Sequence, residues 1–301
     1  MNRKIYVVDA HAHPPRDEVS VQKERAVPQS MEEVECRFEQ DLENLVCQMD
    51  RLQADTKILL AMPSDIEHLF HFGETGALSR IRTYTTEEWI IKAHRRYPQR
   101  FLGVACLNPL EPDSIEHLEY LVKEHGFRGA KIHQAHYNIS ADDERLTPFY
   151  NKCIELDIAV AFHTGFPPER GIDHYITSMP HSLDELACHF PELKIIMCHT
   201  GGNWYQDGVM IAMRNPNIMV DIAGLPWICE RLVWPRTDGK GLIRRIIQLL
   251  GADRVLFGTD NMDEDMNLCY MEELGLTDNE LNMVMGENAE KLFKIDRGTG
   301  M

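Results

Sequence analysis

The chain of 301 residues carries 48 acidic against 31 basic side chains, a formal charge of −17. That balance argues against broad contact with a nucleic-acid backbone or an anionic membrane while allowing a local basic pocket, so a small-molecule ligand is the expectation. The length accommodates one large α/β barrel or two ordinary domains, with a core of good size either way.

Cysteines at 36, 47, 106, 153, 188, 198, 229 and 269 form no Cys-x-x-Cys and no short-domain disulfide framework. Cys106 and Cys198 sit inside apolar runs, where a reduced thiol behaves as a small hydrophobe, so a reducing cytoplasm is the expected setting. The apolar run behind Arg3 and Lys4 is too short for a signal peptide, and no stretch reaches the roughly 18 to 20 apolar residues of a membrane span.

Residues 5–10 form the first apolar run; strand alternation predicts that Asp9, His11 and His13 share a face, with Pro14-Pro15 as the stop. A polar, acidic stretch over 14–37 precedes a helix in which Leu42, Leu45, Val46, Met49 and Leu52 lie on one side. Further strands are expected at 56–62, 101–107, 127–133, 158–163, 193–199, 218–222 and 254–258. Amphipathic segments alternate with them. Thr85-x-x-Glu88, Ser182-x-x-Glu185 and Thr277-x-x-Glu280 read as capping boxes, and Pro98 and Gly126 as helix stops.

Repeated βα units of this kind are best satisfied by a (β/α)8 TIM barrel, residues 1–301 forming a single domain with a C-terminal helical extension, because closure leaves no exposed edge strand. An open doubly wound sheet is the alternative. The chain offers no Gly-x-Gly-x-x-Gly or phosphate-binding loop in its support.

An isolated His-x-His reads equally well as a metal site or as one core and one loop histidine. Here, however, His11 and His13, His163, His199 and Asp260 all fall at expected strand ends, which a barrel gathers on one rim. Imidazoles with a carboxylate suit zinc and similar divalent ions.

Val-Val-Asp-Ala-His11-Ala-His13, Phe-His163-Thr-Gly, Cys-His199-Thr-Gly-Gly, Leu-Phe-Gly-Thr-Asp260 and Met285-Gly-Glu-Asn288-Ala-Glu-Lys-Leu-Phe together resemble the amidohydrolase superfamily. More narrowly they resemble its amidohydrolase-2 branch, which contains aminocarboxymuconate-semialdehyde decarboxylase and related aromatic-acid decarboxylases as well as hydrolases. The resemblance implies that His11, His13, His163 and Asp260 hold one divalent metal, Zn2+ or alternatively Mn2+, and that His199 and Asp260 are catalytic. Asp260 is followed by Asn261-Met262, where the branch places an apolar residue and proline.

Lys131 shares a strand face with His133. Other branches carry a carboxylated lysine on the fourth strand between two metals; within this branch Lys-x-His is ordinary, and a cation facing a substrate carboxylate is the expectation. His133, Arg16, Arg170 and Trp227 are further candidate substrate contacts, with His68, His71, His136, His174 and His181 as plain loop histidines or contacts.

The leading expectation is a metal-dependent hydrolase acting on a small, carboxylated compound through a water whose pKa a metal lowers from about 15.7 to near 7. The alternative is a non-oxidative decarboxylase of an aromatic or muconate-like acid. A barrel that had lost catalysis would lack some of these residues, and all are present. A homodimer is expected from family habit, and the loops over 14–37 and 164–180 are candidate lids.

Overall fold

Short runs of β-branched and small apolar residues, each closed by a polar or glycine-containing turn, fold as parallel strands because helices can then cover their outer faces. A computed structural model describes residues 5–15, 30–62, 85–166, 175–262 and 264–297. Its strands β1 (Val8–Ala12), β2 (Thr56–Leu60), β3 (Phe101–Cys106), β4 (Phe127–Ile132), β5 (Ala159–Phe162), β6 (Lys194–Met197), β7 (Ile218–Asp221) and β8 (Val255–Leu256) lie in sequence order in one parallel sheet. The (β/α)8 barrel is therefore the fold. Because β8 is only 2 residues long, closure onto β1 is made by single bonds: Ala10 N donates to Phe257 O at 2.9 Å, and Asp260 N to His11 O at 2.7 Å.

The inner face carries Val8, Ala10, Ile58, Leu60, Val104, Ala159, Ala161, Ile196 and Leu256 in one buried cluster. The opposite faces of the strands pack on the helices; Phe38, Trp89, Phe101 and Phe149 belong to this outer layer. The C-terminal helix Asn288–Phe293 sends Ala289, Leu292 and Phe293 into the inner cluster beside Tyr6, closing the barrel at the start of β1. The histidine-bearing rim is the other end.

The expected alternation along β1 is broken. Asp9 pairs with Lys57 but Ala12 pairs with Leu59, so three steps on β1 oppose two on β2, a bulge between them. Ala10 belongs to the inner cluster and Ala12 to the outer layer, and the extra residue lets both His11 and His13 reach the cavity inside the barrel. Asp9 does not share their face. It turns outward with Lys57, contrary to the reading from strand alternation, and β1 itself begins at Val8 and runs through His11.

The boxes at Thr85 and Thr277 form as expected, each threonine accepting from the amide three residues on while the glutamate returns the bond. Each contributes about 1 kcal/mol. Ser182 does not cap: the turn already starts at Pro180, whose carbonyl accepts from Leu183 N, and Ser182 is the first residue of the helix Ser182–His189. Gly126, at φ +72°, follows the helix Ser114–Glu124 and ends it as anticipated.

Candidate metal centre at the barrel rim

His11, His13, Lys131, His133, His163, His199, Asp260 and Trp227 all line one cavity of about 530 Å³, at the ends of strands drawn from the whole length of the chain. Its floor is polar. Its wall is apolar, formed by Met62, Phe166, Trp227, Ile228, Leu232 and Met262. Of the other candidates, His136 sits on the turn after β4 with its ring 6.3 Å from that of His133, and His181 lies 3.7 Å from Asp207; neither lines the cavity. Arg16, Arg170, His68, His71 and His174 lie outside the described residues.

Three of the rim imidazoles, His11, His13 and His199, are oriented from behind. His13 Nδ1 is 2.7 Å from Leu60 O and His199 Nδ1 is 2.7 Å from Ala223 O; since a carbonyl only accepts, both rings donate through Nδ1. His11 Nδ1 is 2.9 Å from Asp221 Oδ2. Donation there puts the Nε2 lone pairs of His11, His13 and His199 on the free side of each ring, the pattern of metal-bound imidazoles supported by outer carboxylates and carbonyls.

Three observations test whether these residues fit a divalent ion. The Nε2 of His13 stands 3.1 Å from Asp260 Oδ1, and with Nδ1 donating elsewhere this is an acceptor facing an acceptor, a contact relieved by a proton or a cation. His163 Nε2 is buried with no hydrogen-bond partner. Among the described residues, His11, His199 and Asp260 each offer a ligand atom within 4.8 Å of the others. The donor set fits. The His163 ring lies 5.2 Å from that of His199 and is stacked at 4.4 Å on His133.

Electrostatics agree with cation binding. Burial acts to raise the Asp260 carboxyl, but with a proton on His13 hydrogen-bonded to it and the neighbouring imidazoles around it, Asp260 is held well below the ordinary carboxylate range, the place a cation would take. Burial pushes His163 and His133 well below 6.5, with His133, His199 and Lys131 pressing on the first and Lys131 and His136 on the second. His199 is lowered mainly by burial and then by His11. Neutral imidazoles facing a carboxylate are what a metal requires. Lys131, buried and lining the same cavity, has its Nζ 3.4 Å from His11 Nε2.

The local sequence explains the backbone at the rim. His199 and Thr200 adopt φ of 59° and 51°, and Asp260 and Asn261 54° and 56°. Such conformations cost non-glycine residues roughly 1–3 kcal/mol each and persist only when held. Asp221 Oδ1 accepts from His199 N at 2.7 Å, and Thr200 Oγ1 donates to Asp221 O at 2.7 Å. Gly202, at φ +58°, lets the turn approach the β5 loop, where a Cβ would come 2.6 Å from Gly165 Cα.

Three supporting residues were not singled out as site residues from sequence. Asp221 closes the apolar run of β7, and an acid ending such a run was a readable signal. Lys57 lies within the apolar β2, fully buried, 2.8 Å from both Asp9 and Glu264. Asn261, noted only as a departure from the branch, grips the backbone of His13.

A family profile described as Amidohydrolase matches residues 8–295, and the chain belongs to that family. Its members are metal-dependent enzymes acting on small molecules, as the motifs implied. A decarboxylase, OrsB, from Emericella nidulans is 25% identical over 240 residues, 66% of this chain and 71% of the relative. A 2-keto-4-carboxy-3-hexenedioate hydratase from a Sphingobium species is 25% identical over 229 residues, covering 65% and 67%. The 5-carboxyvanillate decarboxylase of Novosphingobium aromaticivorans, solved with manganese and 4-hydroxy-3-methoxy-5-nitrobenzoic acid, superposes with a TM-score of 0.62 over 83% of this chain and 79% of that one at 20% identity, a likeness of fold. Among the described residues no helix is long and apolar enough to cross a membrane.

Proposed function

We propose that the chain, residues 1–301 acting as one catalytic domain, is a divalent-metal-dependent carboxy-lyase of a small, planar, apolar-bodied carboxylic acid. The observation that carries this reading is the division of one cavity into a floor of histidines, Asp260 and Lys131 and a wall of Trp227, Ile228, Leu232 and Met262. Such a cavity suits a flat apolar body with an anionic group at one end. The decarboxylase among the relatives supports the same class.

His11, His13, His163 and Asp260 would hold the ion, a set of three imidazoles and a carboxylate that suits Zn2+, with Mn2+ as the alternative favoured by the Novosphingobium enzyme. When bound, a divalent ion supplies Lewis acidity toward a substrate oxygen. The other tasks fall to side chains. Decarboxylation exchanges a C–C bond for a C–H bond, so one proton must reach carbon as carbon dioxide leaves. His199 is the group placed to deliver it: Nδ1–H is fixed on Ala223 O, so the Nε2 lone pair is the site that takes up a proton and passes it to carbon. Lys131 is the counter-charge for the substrate carboxylate, and His133, stacked on His163, presents a buried Nδ1 without a protein partner as a substrate contact. Arg16 and Arg170 are retained as candidate contacts on their sequence positions alone.

A second reading, addition of water or hydrolysis of a carboxylated substrate, is favoured by the hydratase at equal identity, and it uses the same first residues with His199 taking a proton from water. Protein reconstituted with Mn2+ or Zn2+ and offered hydroxybenzoates, muconate-like acids and a parallel set of lactones and unsaturated diacids separates them. Carbon dioxide release supports the carboxy-lyase; turnover of the second set without it supports water chemistry. A cytoplasmic homodimer completes the proposal, supported by eight cysteines that form no disulfide for the setting and by family habit for the dimer.

A further inference from the structure

We infer that Asn261 is a positioning residue of the metal centre, its carboxamide standing in for the peptide group that β8 is too short to provide. This rests on the reading of His13 and Asp260 as metal ligands. In an ordinary closed barrel the last strand pairs with the first along the rim. Here β8 ends at Leu256, and β1, bulged between Asp9 and Ala12, ends one residue before His13. The segments carrying the first and last ligands therefore meet where no ladder joins them.

Single bonds fill the gap. Thr259 N and Asp260 N both donate to His11 O, at 3.2 and 2.7 Å. One step further on, His13 N donates to Asn261 Oδ1 at 3.0 Å and Asn261 Nδ2 donates to His13 O at 2.9 Å. Both backbone polar groups of His13 are thus taken by one side chain, as a neighbouring strand would take them. Asparagine suits the position twice over. Its amide has the donor and acceptor of a peptide, and it tolerates the left-handed φ of 56° that continues from Asp260. Asn261 N also donates to Thr259 Oγ1 at 3.2 Å, tying the clasp back to the outer network through Thr259 Oγ1 and Asp9.

The consequence is geometric. With the His13 ring fixed by Leu60 O and its backbone fixed by Asn261, the 3.1 Å separation of His13 Nε2 from Asp260 Oδ1 is set by two anchors, of which only Asn261 belongs to the segment that carries Asp260. The apolar residue that the branch places here could make neither bond.

Asn261→Gly removes the clasp while accepting the left-handed backbone more easily than asparagine does, so loss of the amide is separated from strain. Mn2+ affinity measured by chelator competition without substrate is expected to fall about 10- to 100-fold, the usual effect of losing an outer support of a ligand, with the circular dichroism of the metal-free protein unchanged. Affinity within twofold of wild type would overturn the inference. Should the variant not fold, hydrogen exchange of the wild-type metal-free protein decides: the His13 amide is expected to be protected, and exchange at the rate of an open loop would overturn the clasp. Failure of wild type to take up Mn2+ would instead strike the metal reading, leaving the exchange result to judge the clasp by itself.

Discussion

Asp221 Oδ2 accepts from His11 Nδ1 at 2.9 Å while Oδ1 of the same carboxylate accepts the backbone amide of His199 at 2.7 Å. One acid at the end of β7 thereby orients both a proposed metal ligand and the proposed proton carrier. Asp221→Asn preserves shape, and because His199 N and Ala223 N both donate to Oδ1, the amide keeps its oxygen there and turns its NH2 toward His11 Nδ1. Metal affinity should fall about 10- to 100-fold, while turnover at saturating metal should hold within a few-fold, since the His199 amide keeps its acceptor. Elemental analysis after chelation, with kcat at saturating Mn2+, checks both; an unchanged metal affinity would show that His11 needs no such support.

His199 is as close to His11 and Asp260 as ligands would be, all three within 4.8 Å of one another, so its assignment as proton carrier makes a sharp prediction. His199→Ala should retain the metal and lose at least about 100-fold in kcat, the scale of general acid–base catalysis. His11→Ala and Asp260→Ala should lose the metal. Metal loss in His199→Ala would exchange the roles of His199 and His163.

Lys57 is buried between Asp9 and Glu264, at 2.8 Å from each, and Asp9 in turn accepts from Thr259 N at 3.0 Å and from Thr259 Oγ1 at 2.7 Å. The ion pairs raise the lysine's pKa in spite of burial, which opposes them. Lys57→Met would leave two buried carboxylates without their cation, a change that costs about 3–5 kcal/mol when a buried pair is broken. Denaturant unfolding of the metal-free protein measures this. Lys57→Met combined with Glu264→Gln should recover part of the loss, and identical stability of single and double variants would contradict the network.

The pH dependence follows from the imidazoles. His133, His163 and His199 are all lowered, each first by burial. As pH falls below about 6.5 the unfolded chain protonates these rings and the folded chain does not, so unfolding takes up protons and stability is lost. The metal-free protein should therefore show a melting temperature that declines steadily from about pH 7 to pH 5. Asp221 and Asp260, held low in the fold, add a separate contribution present above about pH 4 and lost below it. A flat melting temperature between pH 7 and pH 5 would contradict the neutral, buried state of the three histidines.

The strands and the rim were legible because apolar runs that end in histidine or aspartate carry both pieces of information in one stretch: the run fixes the strand and its end fixes the rim. His11, His163, His199 and Asp260 were found in this way, and all line the cavity. The orientation of Asp9 was not, since the bulge in β1 is a matter of register against Thr56–Leu60, some fifty residues away, and leaves no local mark. Ser182 was misread because the same Ser-x-x-Glu spacing occurs inside a helix whose onset was set earlier by Pro180. Asn261 was visible only as a mismatch to a motif; its role required the distance between chain ends that the barrel alone supplies.

In the proposed site a single divalent ion is held jointly by residues from both ends of the chain and by His163. A crystal of Mn2+-reconstituted protein measured at the manganese absorption edge tests it most directly. One anomalous peak is expected within about 2.0–2.3 Å of His11, His13, His163 and Asp260, metal–ligand distances typical of such sites. No peak among them, or one held by His199 in place of His163, would contradict it.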